Sequence, residues 1–91
     1  MTDDEIVMYG TSWCGDCKRA KQFLGEQRVQ YRFVDIDGDA DGLAYVQRLN
    51  DGKSIIPVLV FADGSSLTEP SNAELAEKLG ITTQARNAYM T

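Results

Sequence analysis

The stretch Pro57 to Ala62, PVLVFA, is apolar without alternation. Successive residues of a strand point to opposite faces, so a half-exposed strand alternates apolar and polar side chains. This one has no polar face and reads as a strand buried on both sides. A fold that uses it must cover a sheet from above and from below. The full apolar run, Ile55 to Ala62, is interrupted by Pro57 and too short to span a bilayer. Pro57 lacks an N–H, which places it at the start or edge of its strand.

The remaining pattern supplies the layers. Glu5 to Tyr9 reads as a short strand. Cys14 to about Gln27 reads as a helix, with Cys17, Ala20, Phe23 and Leu24 at helical spacing. Val29 to Ile36 is a second strand, rich in β-branched and aromatic residues. A helix follows around Asp41 to Asn50, with Leu43, Val46 and Leu49 on one face and Asp51-Gly52 as its stop. After PVLVFA, Asp63-Gly64 signals a hairpin, and Ser65 to Thr68 is the returning strand. Ser71 and Glu74 form a capping box that opens a last helix carrying Leu75, Ala76 and Leu79, with Gly80 at its end.

The order β-α-β-α-β-β-α predicts an α/β fold, a four-stranded mixed sheet flanked by three helices. Two βα units feed a parallel pairing, and the hairpin adds an antiparallel strand. The 91 residues suit one domain, taken as 1–80, with 81–91 as a tail. The net charge of −5 argues against a nucleic-acid or membrane-surface binder, which is usually basic. The opening MTDDEIVMYG is acidic where a secretory signal would be basic. The expectation is a cytoplasmic monomer. In that compartment, a close cysteine pair is more often catalytic or metal-binding than structural.

Both cysteines lie in TSWCGDCKRA, Thr11 to Ala20. Cys14 falls at the start of the first helix, where unpaired N–H groups and the helix dipole favour an anion. Cys17 lies one turn on, within reach for a disulfide. Gly15 is read as allowing a tight bend and the close approach of a substrate sulfur. Lys18, Arg19 and Lys21 favour a thiolate here, and Asp16 opposes it. The metal alternative is weaker, because a closed zinc site needs four ligands and this chain has two cysteines and no histidine. A shared cluster, or two inert core cysteines, are the remaining readings.

Asp37 to Gly42, DGDADG, matches half of a calcium loop. Arg48 stands where a bidentate Glu is needed, so an acidic turn that caps the second helix is the better reading. Trp13, beside the first cysteine, reads as a docking surface. Tyr9 reads as packing at a strand end. Thr68, Ser71 and Asn72 are cap residues whose backbone N–H groups suit the carboxylate or sugar of a small thiol.

Tyr9 to Cys17, YGTSWCGDC, together with Ile56-Pro57, resembles the thioredoxin fold in its short, glutaredoxin-like form. The TSWCG-x-C, VDID and IPVLVFADGSSLTEPS segments are similar to mycoredoxins, the glutaredoxin-like proteins of actinobacteria. The resemblance covers roughly residues 5–80. It implies a thiol–disulfide oxidoreductase in which Cys14 is the nucleophile, Cys17 the resolving thiol, and Pro57 a cis-proline that turns the Ile56 backbone to the substrate. It also implies mixed disulfides of proteins with a low-molecular-weight thiol as substrates. Two positions depart from the family. Gly15-Asp16 stands between the cysteines in place of Pro-Tyr, and Thr68 to Ser71 stands where glutaredoxins carry Gly-Gly-x-Asp. These departures favour mycothiol over glutathione, and Asp16 is expected to discourage anionic partners. The alternatives are a small electron donor to ribonucleotide reductase, reduced by a thioredoxin-type reductase, and a non-enzymatic iron–sulfur cluster carrier.

Overall fold

The computed structural model describes residues 5–81. Four strands and three helices follow in the expected order: β1 (Val7–Gly10), α1 (Gly15–Glu26), β2 (Arg32–Asp35), α2 (Ala40–Leu49), β3 (Val58–Val60), β4 (Ser66–Thr68) and α3 (Asn72–Leu79). The sheet order is β2-β1-β3-β4. β1 and β2 are parallel, with Val7 opposite Arg32 and Gly10 opposite Asp35. β3 runs antiparallel to β1, Tyr9 facing Val58, and β4 antiparallel to β3.

Two apolar clusters sit on opposite faces of this sheet. Ile6, Met8, Leu59 and Phe61 pack with Ala20, Phe23 and Leu24 of α1 and with Leu75 and Ala76 of α3. Val58 packs on the other face with Ile36 and Val46 of α2, joined by Tyr9, Leu43 and Val60. The unalternating PVLVFA segment is thus explained, since its two faces feed two cores. Each fully buried Leu or Met contributes about 1.5–3 kcal/mol relative to exposure. Leu49 departs from the expected face of α2 and is 41% exposed. It lies at the helix's last position, beyond the reach of the sheet. The tail beyond residue 81 lies outside the described residues.

The helix ends follow local chemistry. Asp39 caps α2 by accepting a hydrogen bond from the Gly42 N–H at 3.0 Å. Ser71 Oγ accepts from the Glu74 N–H at 3.1 Å, and Glu74 Oε1 accepts from the Ser71 N–H at 2.8 Å. Gly80 closes α3 with φ 73°, a left-handed conformation that glycine adopts without penalty.

Candidate functional site

Parallel strands β1 and β2 end on the same edge of the sheet. Open α/β sheets bind ligands in the crevice beyond these carboxyl ends. Because β3 is antiparallel to β1, its start lies on this edge too. Continuing the β1–β3 register sets Pro57 opposite Gly10. The Ile56–Pro57 bond is cis, and the Pro57 carbonyl accepts from the Glu69 N–H at 2.8 Å. Four connections therefore converge: Thr11 to Cys14, Ile36 to Asp39, Ile55 to Pro57, and Glu69 to Ser71.

Cys14 is the N-cap of α1, with φ −82° and ψ 125° and no side-chain cap bond. Its carbonyl accepts from the Lys18 N–H at 3.0 Å. Its side chain is half-buried, whereas Cys17 is 0% exposed, and both are free thiols. Burial pushes the Cys17 thiol up to about 11, and a backbone hydrogen bond from Thr11 partly opposes this. A hydrogen bond with Cys14 and the charge of Cys14 push it up further, and Lys21 pulls it slightly down. The two thiols are therefore neighbours in different surroundings, one half-buried and one fully buried. One can meet a substrate while its neighbour holds a proton beneath it.

The rim is built by cross-links between elements. Trp13 is 67% exposed, and its Nε1 donates to Asp37 Oδ2 at 2.7 Å, which ties the β1–α1 connection to the β2–α2 connection. Asp16 faces Arg19 at 3.5 Å. Arg19 also donates to Asn72 Oδ1 at 2.9 Å and to the Pro70 carbonyl at 3.2 Å, so α1 is fastened to the start of α3. Thr68 Oγ1 donates to Asn50 Oδ1 at 3.1 Å. Of the three residues read as thiol-binding caps, Ser71 already spends its N–H on Glu74. Gly15 is the first residue of α1 and has no left-handed φ. A Cβ on Gly15 would meet nothing within 4 Å, which leaves open space beside Cys14.

Two neighbours of the thiols, Gly10 and Thr11, were not singled out by their sequence. A Cβ on Gly10 would stand 2.5 Å from Cys17 Sγ, so the close approach of β1 to α1 requires glycine there. Thr11 is buried, and its Oγ1 has no hydrogen-bond partner among the described residues. Lys21 lies 3.6 Å above the centroid of Phe33. Lys21 reads from the sequence as one of three cations favouring a thiolate, and its four-residue spacing from Cys17 puts both on one face of the helix.

Comparison with known proteins agrees with this geometry. The sequence profile of the Glutaredoxin family matches residues 6–66. A Mycobacterium tuberculosis protein named "Putative glutaredoxin" is 42% identical over 74 residues, covering 81% of this chain and 88% of its own length. Mycoredoxin 1 of Corynebacterium glutamicum is 32% identical over 74 residues, 81% of this chain and 91% of its own. The crystal structure of Methanosarcina acetivorans methanoredoxin superposes with a TM-score of 0.73 at 27% identity, covering 87% of each chain.

Proposed function

The chain belongs to the glutaredoxin family and is a thiol–disulfide oxidoreductase, and from that premise we propose that it reduces mixed disulfides between proteins and a low-molecular-weight thiol, with mycothiol favoured over glutathione. The observation that carries this reading is the unequal burial of Cys14 and Cys17 at one helix start.

Cys14 is the nucleophile in this reading. Its thiolate attacks the small thiol's sulfur in the mixed disulfide, and that disulfide's S–S bond breaks. The electron pair leaves with the protein sulfur, which takes a proton from water. The small thiol is now joined to Cys14. A second small thiol releases it as a symmetric disulfide, or Cys17 displaces it and closes a Cys14–Cys17 disulfide. Exchange of this kind depends on thiolate fraction, on nucleophilicity and on the leaving thiol. Trp13, Gly15, Ile56 and Pro57 form the docking surface in this reading, with Thr68 and Asn72 on its far rim. The preference for mycothiol is supported by the similarity to Mycoredoxin 1 and by Thr68-Glu69-Pro70-Ser71 at the place of the glutaredoxin Gly-Gly-x-Asp. We place the protein in the cytoplasm as a monomer. No helix among the described residues is long and apolar enough to cross a membrane.

Steady-state reduction of one mixed-disulfide substrate, driven in parallel by mycothiol and by glutathione, tests the choice of thiol. A faster rate with glutathione would overturn it. In the same assay, Cys14→Ser is expected to abolish turnover and Cys17→Ser to retain it. Activity in the first and loss in the second would reverse the assigned roles.

A further inference from the structure

Cys17 sits in a niche whose walls come from three elements. Gly10 at the end of β1 leaves room for its sulfur, and a methyl group there would stand 2.5 Å from Sγ and 3.4 Å from Phe33 Cε1. Phe33 of β2 carries the Lys21 ammonium 3.6 Å above its ring. Lys21 is one helical turn beyond Cys17 on α1 and is half-buried. Thr11 supplies a backbone hydrogen bond to the thiol. A lysine at such a place ordinarily extends its ammonium into water. The face of Phe33, whose Cε1 borders the niche, holds this one instead.

We propose that Lys21, fixed above Phe33, is the positioning residue of the resolving step, its charge steadying the Cys17 thiolate as it attacks Sγ of Cys14. The inference rests on the reading of Cys17 as the resolving thiol. In that step Cys17 gives its proton to solvent, and its sulfur forms a bond to Cys14 Sγ. The bond between Cys14 and the small thiol breaks, and the electron pair leaves with that thiol, which is then protonated by water.

The need for Lys21 arises from the change at Cys14. In the free protein, burial and the neighbouring Cys14 both hold the proton on Cys17. Once Cys14 is joined to a small thiol, its sulfur is uncharged and no longer opposes ionisation. Burial is then opposed by the Thr11 backbone and by Lys21. Among the described residues, the charged groups that bear on Cys17 are Cys14 and Lys21, both on α1 or its cap. β1, the connection after it and β2 present Gly10, Thr11 and Phe33, none of which ionises near neutral pH. The charge of Lys21 thus becomes important at the point in the cycle where Cys17 must act.

The test uses the reduced full chain and 2,2′-dipyridyl disulfide as the probe. Attack by Cys14 releases one equivalent of pyridinethione, and closure by Cys17 releases a second. Stopped-flow absorbance separates the two phases. Lys21→Met keeps a long apolar side chain on Phe33 and removes the charge. It is expected to slow the second phase by about threefold to tenfold at neutral pH and the first by less, the slowing of the second shrinking as pH rises towards 11. Lys21→Arg is expected to restore closure, since it keeps both the charge and the ring contact. Phe33→Leu, which releases the ammonium to water, is expected to slow closure with Lys21 in place. A second phase indifferent to Lys21→Met, a slowing independent of pH, equal slowing of both phases, or failure of Arg to rescue would each overturn the proposal. Release of a single equivalent by the wild type would instead refute the resolving role of Cys17 itself, a distinguishable failure.

Discussion

Cys17 keeps its proton because it has lost its water and gained little in exchange. Burial raises its pKa from 9.0 to about 11, so the folded chain holds this proton more tightly than the unfolded chain. Stability from this source is complete below about pH 9, where the thiol is neutral in both states. It is lost as pH rises towards 11, where the unfolded chain ionises first, by at most about 2–3 kcal/mol. Urea titrations of reduced wild type and Cys17→Ala from neutral to alkaline pH check this. The wild type is expected to lose more stability across that window, and parallel losses would contradict it. Asp16 is expected from the sequence to oppose a thiolate against the pull of nearby cations, and Arg19 stands beside it. Its carboxylate shares its charge with Arg19, and both side chains are more than a third exposed, so its field at Cys14 is partly cancelled and solvent-screened. The cysteine pair was legible because its spacing and its place at a helix start are local facts. Gly10 was not, since its role is defined by a sulfur that arrives from another element.

Among the elements, α3 shows how much a short segment encodes. Its capping box, its apolar face and its terminal glycine are all local, and all appear as the sequence predicts. Ser71→Ala removes the acceptor for the Glu74 N–H and is expected to cost about 1 kcal/mol. The measurement is a lowered midpoint in urea with an unchanged slope, and an unchanged midpoint would refute the role of the cap. β2 was less legible. The reading from Val29 to Ile36 follows residue type, but the strand is Arg32–Asp35. A ladder extends only where a partner lies alongside, and β1 pairs only from Arg32 to Asp35. Val29 and Tyr31 pack against the core without joining the strand.

For the molecule as a whole, the net charge of −5 acts over distances comparable with the screening length. Asp35, Asp37, Asp39 and Asp41 gather that charge around the end of β2, beside Trp13. Cationic cystamine is therefore expected to react faster than anionic glutathione disulfide at low salt, with the ratio shrinking as salt is added. Stopped-flow rates at two ionic strengths check this, and a ratio insensitive to salt would show that contact chemistry alone discriminates. The sequence by itself determined the kinds and order of the elements, the cysteine pair at a helix start, and the need for cover on both sides of PVLVFA. Periodicity, caps and turn residues act over a few positions, and each can be read where it stands. The tertiary structure alone decided that β3 runs antiparallel to β1, that Trp13 bonds Asp37 and Arg19 fastens α3, and that Lys21 rides on Phe33 beside a buried thiol. Each of these joins residues from separate elements, and only the packing of the whole chain sets which surfaces meet.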